Sequence, residues 1–307
     1  MNTRTEPRPP ALPDGQRRFR SALISTAGHC KIACGFCFRA DRAHGDLPLS
    51  LYTRSLSRLK EAGIQDVCLT GGEPAHHPEL RQLVRLAHQF GVPISVVTSA
   101  RSSEDVERLE QLAHLLANVT VSADSAAAMR LGRTHRSADT ALTTLTRLKA
   151  APSRILHVMY WQLTEAECHA LHDLVADSEV EVQFSPVVLD GADRFRAGWS
   201  LADYLDQQRQ DTDLLSRHFL LTPRFQRHLQ DLQDLHRERP GQRRCQGPNL
   251  YMSARGDIRR CPYGTASVPV TASRATIRDF LRTEPQERTT PSCAAICRAE
   301  LLPSSRP

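Results

Sequence analysis

The sequence predicts an α/β fold, a partial (β/α)6 TIM-like barrel, followed by a small Cys-rich α+β domain. Two observations carry this. Between about residues 20 and 190, short β-rich runs alternate with longer helical patterns at a period near thirty residues. Past Pro240 that periodicity stops and four cysteines appear, Cys245, Cys261, Cys293 and Cys297, in a segment too short to build a core of its own.

Six strands are read from the chain: Ala22–Thr26, Asp66–Thr70, Ile94–Thr98, Asn118–Ser122, Ile155–Tyr160 and Glu181–Val187. Between them lie helical patterns at Leu49–Ala62, Pro78–Phe90, Ser103–Leu116, Ala138–Ala150 and Glu165–Ala176. Each repeats apolar residues near i, i+3, i+4 and i+7, as at Leu80, Leu83, Val84 and Ala87. Right-handed βα connections then give a parallel sheet, closed or partly closed. The boundaries expected are a disordered tail over 1–19, the barrel over 20–195, a helical bridge over 196–240, the Cys-rich domain over 241–299 and a tail over 300–307. The bridge reads as one polar helix carrying Leu201, Leu205, Leu214 and Leu215, a break at Pro223, and a second helix with Phe225, Leu229 and Leu232.

With 307 residues and 40% apolar content, the chain can bury a sizeable core. No run of about 18 apolar residues is present and the N-terminus lacks an apolar stretch behind its charges, so neither a membrane span nor a secretion signal is expected. Nine cysteines without an export signal point to thiolate-bound metal in the cytoplasm, not to disulfides. The net charge of +6 comes almost wholly from scattered arginines, and aromatics are only 5%, which argues against a nucleic-acid partner.

The segment from Gly28 to Cys37 follows the first strand and places Cys30, Cys34 and Cys37 at C-x3-C-x2-C spacing. Three thiolates on a [4Fe-4S] cluster leave one iron open to bind and activate a substrate. A zinc site completed by His29 or His44, or cysteines that merely pack, are the alternatives. Gly71, Gly72, Glu73 and Pro74 end the second strand. The glycines permit close backbone approach and Glu73 offers an anionic acceptor for an ammonium group. Cys245 and Cys261 enclose a hairpin, Tyr251-Met252-Ser253 and Asp257-Ile258-Arg259 around Arg255-Gly256. Cys293 and Cys297 follow a helical stretch at Ile277–Leu281.

The cysteine loop and the GGEP tetrapeptide one strand later resemble the radical SAM superfamily, whose members split S-adenosylmethionine (SAM) to make a carbon radical. The four later cysteines resemble those of the twitch or SPASM auxiliary-cluster domain. The resemblance implies a SAM-binding [4Fe-4S] cluster on Cys30, Cys34 and Cys37, and a second, auxiliary [4Fe-4S] cluster on Cys245, Cys261, Cys293 and Cys297. It implies SAM contacts from Phe36, Gly71, Gly72, Glu73, Pro74, Ser99, Ser122, Asp124 and Arg133, with Arg130 and Arg136 as rivals for the last role. The physical alternatives stay open. Ser and Asp at strand ends also serve as caps, four cysteines also suit zinc, and three of the four leave either an open iron or a free thiol.

The implied activity is an oxidoreductase or epimerase acting on a small-molecule substrate such as a sugar, an aminocyclitol or another natural-product intermediate, with a flavodoxin or ferredoxin as electron donor. A small molecule is preferred over a peptide because no leader-recognition domain precedes the barrel. A maturase of a ribosomally made peptide is the alternative, and an Fe–S sensor or zinc-stabilised binding module is the non-enzymatic one. The Cys34–Phe38 run also resembles viperin-like nucleotide-modifying enzymes, which lack the later cysteines. Tyr160, Trp161, Gln183 and Ser185 are expected to face the substrate, and Cys68 and Cys168 to be small buried hydrophobes.

Overall fold

The computed structural model describes residues 19–27, 30, 45–131, 136–187, 198, 200–221, 249–260 and 266–282. Along the chain these form β1 (Ser21–Ser25), α1 (Leu49–Glu61), β2 (Asp66–Thr70), α2 (Leu80–Gln89), β3 (Ile94–Thr98) and α3 (Ser103–Glu110). There follow β4 (Asn118–Asp124), α4 (Ala126–Leu131), α5 (Ala138–Arg147), β5 (Arg154–Tyr160), α6 (Glu165–Val175) and β6 (Glu181–Pro186). The last elements are α7 (Leu201–His218), β7 (Asn249–Met252), β8 (Asp257–Arg259), β9 (Ser267–Pro269) and α8 (Arg274–Arg282).

Short side chains that compete with the backbone set several helix starts. Ser102, Thr164 and Ser200 each accept the amide of the third helical residue, and Asp105, Glu167 and Asp203 reach back to close capping boxes. The pattern expected to run as one helix to Leu116 stops at Glu110 and resumes as a 3₁₀ turn at Ala113–Leu115. Leu112 and Leu116 nevertheless stay in the core. The short α4 went unread because six residues hold too little periodicity to register.

The sheet order is β6-β5-β4-β3-β2-β1-β7-β8-β9. Strands β1 to β6 run parallel, β7 joins β1 in parallel, and β8 and β9 are antiparallel. The late hairpin therefore extends the barrel sheet. This answers how so short a segment is stabilised: Leu250, Met252, Ile258, Val268, Val270, Ile277 and Leu281 belong to the same apolar core as Ile24 and Leu69.

Register partners in a parallel sheet share a face, so the two faces can be read directly. One carries Ala22, Ile24, Val67, Leu69, Ile94, Val96, Val119, Val121, Leu156 and Val158, all buried beneath the helices. The other carries Cys68, Ser95, Ser122, Asp124, His157, Met159 and Ser185, all half-buried, and the exposed Gln183. One wall is hydrocarbon and the other largely polar. The polar wall is the inner surface of the partial barrel.

Candidate active site at the strand ends

Beyond β1 the backbone turns against the end of β2. The Thr26 amide donates to the Thr70 carbonyl at 2.9 Å, and the Gly72 amide donates to the Ala27 carbonyl at 3.0 Å. Gly71 sits at φ +98, and a Cβ there would lie 2.0 Å from Ser25 Oγ and 2.5 Å from Ser25 Cα. Only glycine fits so close an approach. The first half of the tetrapeptide thus fastens the end of β1, and Cys30 follows five residues later, half-buried.

Glu73 begins a 3₁₀ turn, Pro74–His76, with Pro74 at a position where no backbone donor is needed. Its carboxylate is 4% exposed and fully engaged. Oε1 accepts the Ala75 amide at 3.1 Å and the Thr98 hydroxyl, while Oε2 accepts the Ser99 amide at 2.8 Å and the Ser99 hydroxyl at 2.6 Å. Arg108 of α3 supports the turn from outside by donating to the carbonyls of Ala75 and His77. The result is a buried anion held by the ends of two adjacent strands.

Two further strand ends are linked to it. Ala100, at φ +38, gives its amide to Thr98 Oγ1 at 2.9 Å and its carbonyl to Arg136. Arg136 also donates to the carbonyl of Thr140 at 3.1 Å and to the Thr144 hydroxyl. Its amide reaches Asp124 Oδ2 at 3.3 Å, and its carbonyl accepts the Asp124 amide at 2.8 Å. Burial lowers the Arg136 pKa to about 10, partly offset by the negative charge of Glu73. Both of its Nη atoms are thus engaged by internal carbonyls and a hydroxyl, which makes Arg136 a weaker rival for a ligand carboxylate. Arg130 is exposed and donates to the Ala126 carbonyl at 3.3 Å.

The structure therefore brings Gly71, Gly72, Glu73, Pro74 and Ser99 together, with Asp124 joined to them through Arg136. Ser122 lies one pleat below Asp124 on the inner wall. Phe36, Arg133, Cys34, Cys37, Cys245, Cys261, Cys293 and Cys297 lie outside the described residues, as do the second bridge helix and both tails.

Two expectations need correction. Tyr160 does not face the inner wall, and Trp161, packed beside Met159, is covered and not open to a substrate. Tyr160 belongs to the helix-covered parity of β5 and is 0% exposed, and Trp161, 2% exposed, stacks on Tyr204 of α7 at 5.2 Å. Cys168 is buried as expected, whereas Cys68 is half-buried on the inner wall, with burial pushing its thiol up to about 12. A thiol so reluctant to ionise is a poor metal ligand.

Sequence reading missed His157. It lies on the inner wall in register with Ser122 and Gln183, its Nε2 2.8 Å from Ser185 Oγ, and burial lowers its pKa to about 4. Its parity within β5, opposite to Tyr160 and Val158, was the available signal.

A half-open parallel barrel that gathers a thiol and a buried carboxylate at the carboxyl ends of adjacent strands has the layout in which barrel folds assemble active sites. The Radical SAM superfamily model matches residues 24–175, and the chain belongs to that superfamily. Its members use a [4Fe-4S] cluster and SAM. The residues present suit both groups, since Cys30 places a half-buried thiol just beyond β1 and Glu73 presents a fixed anion one strand away.

Curated relatives include an S-adenosylmethionine-dependent nucleotide dehydratase of Thermoplasmatales archaeon (strain ISO4-H5), 32% identical over 38% of this chain and 43% of the relative. PqqA peptide cyclase of Ruegeria pomeroyi is 32% identical over 25% of this chain and 22% of the relative. The chain thus matches less than half the length of either. Among solved structures, Streptococcus suis SuiB bound to its precursor peptide SuiA has a similar fold, with TM-score 0.62 and 15% identity over 88% of this chain and 66% of SuiB. No helix among the described residues is long and apolar enough to cross a membrane.

Proposed function

We propose that this chain is a radical SAM enzyme that modifies a peptide. Cys30, Cys34 and Cys37 hold the SAM-binding [4Fe-4S] cluster. Cys245, Cys261, Cys293 and Cys297 hold an auxiliary one in a twitch-like C-terminal domain. The observation that carries the peptide reading is the extent of the likeness. Similarity to a peptide-binding enzyme, SuiB, runs over 88% of this chain, and a peptide cyclase is among the sequence relatives. By sequence, the likeness to the nucleotide dehydratase covers 38% of this chain and that to the peptide cyclase 25%, so the reading leans on the fold. These findings favour the peptide alternative over the small molecule preferred from sequence.

When bound, the cluster and SAM supply a one-electron cleavage that yields methionine and a 5′-deoxyadenosyl radical able to take hydrogen from a C–H bond. The chain's own residues set the geometry. Glu73 receives the ammonium group of SAM, and Ser99, whose hydroxyl rotates freely, is the donor that gives way. Ser122 and Asp124 offer further polar contacts on the inner wall, and Arg133 pairs with the SAM carboxylate. Arg136 holds Ala100 and Asp124 in place, which keeps three strand ends in one arrangement. His157, Gln183 and Ser185 line the wall where the substrate lies. A cytoplasmic flavodoxin or ferredoxin supplies the electron.

Anaerobic reconstitution tests this. Iron and sulfide near eight each per chain, with 5′-deoxyadenosine formed from SAM under reductant, support the two-cluster enzyme. Peptides encoded beside the gene, when incubated with it, should lose two hydrogens on crosslinking, or gain solvent deuterium on epimerisation. Turnover of a nucleoside triphosphate with peptides left unchanged refutes the peptide reading. Absence of SAM cleavage with every substrate favours a sensor.

A further inference from the structure

On the outer helical layer, away from the inner wall, Glu165 and His169 stand one turn apart at the start of α6, and His218 ends α7. We propose that these three side chains form a site for a zinc-class divalent ion that ties the two helices together. Glu165 Oε1 lies 2.7 Å from His218 Nε2 and 3.8 Å from His169 Nε2. All three ligand atoms lie within 4.8 Å of one another. Tetrahedral zinc with bonds near 2.05 Å spaces its ligand atoms about 3.3 Å apart. The two Glu165 separations straddle that value and the third pair lies within 4.8 Å, so modest side-chain adjustment builds the site.

The donor set is two imidazoles and one carboxylate, which suits zinc, nickel or copper over magnesium or calcium. Among the described residues it is the one such cluster. The rings of His169 and His218 meet edge to face at 4.5 Å and 75°, an approach that leaves both Nε2 atoms turned toward Glu165. Arg217 is the competing cation, but its Nη1 takes the other oxygen, Oε2, at 3.5 Å and leaves Oε1 to the metal. Glu165 and His169 are 52% and 63% exposed, so ion and water reach the site from solvent, and a water fills the fourth position. The ligands are 53 residues apart in sequence, so the ion clamps the end of α7 to the last helix of the six-strand unit.

The test uses the reconstituted enzyme with its cysteines already occupied by iron, dialysed against zinc sulfate. Wild type should retain one more zinc per chain than the H169N/H218N variant, with an X-ray absorption shell of nitrogen and oxygen at about 2.0–2.1 Å and not sulfur at about 2.3 Å. Its unfolding midpoint should rise with zinc while that of the variant stays fixed. Glu165→Gln, which keeps both rings, should also lose the ion, and equal iron content in all three proteins shows that each is folded. Equal zinc in wild type and variant, a sulfur-only shell, or no zinc in either overturns the site.

Discussion

Replacing Gly71 by alanine isolates the contact that joins β1 to the GGEP turn. Gly63 provides the matched control: its φ is +91 against +98 at Gly71, but a Cβ at Gly63 meets nothing within 4 Å. Both substitutions incur the cost of placing an L side chain at positive φ, roughly 1–2 kcal/mol. Only Gly71→Ala adds a collision, at 2.0 Å with Ser25 Oγ and 2.5 Å with Ser25 Cα. The Ser25 hydroxyl can rotate away but its backbone cannot, so β1 must move relative to β2. Overpacking of this kind costs about 1–3 kcal/mol, which for a chain of this size lowers the midpoint by roughly a further 2–10 °C. Thermal unfolding of both anaerobically reconstituted variants gives the comparison, with iron per chain measured alongside. Gly63→Ala should keep its iron and Gly71→Ala should lose part of it, because the strand end that precedes Cys30 is displaced. Equal midpoints and equal iron in the two variants would refute the account of why glycine stands there.

Glu73→Gln keeps the shape of the buried acceptor but removes its charge. SAM binding should weaken roughly 10- to 150-fold, the equivalent of a charged hydrogen bond, with iron content unchanged, as read by equilibrium dialysis of labelled SAM. The double variant of Cys261 and Cys297 to serine should lower iron from about eight to about four per chain while leaving 5′-deoxyadenosine formation detectable. His157 contributes a pH dependence whose sign follows from its lowered pKa. Below its ordinary value of 6.5 the unfolded chain takes up a proton that the folded chain refuses until about pH 4. Stability from this group is therefore complete above pH 6.5 and declines as pH falls toward 4. The loss is at most about 3 kcal/mol, because part of the ring faces the open inner wall. His157→Gln should flatten that portion of the urea-midpoint profile, and an unchanged slope would sink the assignment.

The six barrel strands were legible because each is bounded by turn and cap residues and followed by a periodic helix. The site was legible at Glu73 and the glycines because few sequences other than a close-approach turn place two glycines before a buried acid. What the sequence did not show depends on parity and on distance along the chain. Whether Tyr160 or His157 faces the inner wall turns on a single-residue register that both apolar and polar neighbours satisfy. The hydrogen bonds of Ser99 to Glu73 join residues 26 apart in sequence, and neither residue type announces the other. The pairing of Leu23 with Tyr251 joins segments more than 200 residues apart, and strands of three or four residues carry too little pattern to name their partner. Helices α7 and α8 were legible in part: apolar spacing marked the leucines of α7 and the stretch Ile277–Leu281, while the Ser200 cap and the start of α8 at Arg274 went unread.

The seat of β1 between β2 and β7 has a consequence for synthesis. Strand β1 obtains its second neighbour only when residues 249–252 have been made, so until then one of its edges is bare. Cys30 lies just beyond that strand. A nascent or truncated chain ending before Asn249 would present Cys30, a ligand of the proposed cluster, next to an unprotected sheet edge, exposed both to oxidation and to strand addition by another chain. Cluster insertion is therefore best timed after residues 249–252 are in place, and expression under slowed translation with iron supply sustained late in growth should raise the yield of loaded enzyme.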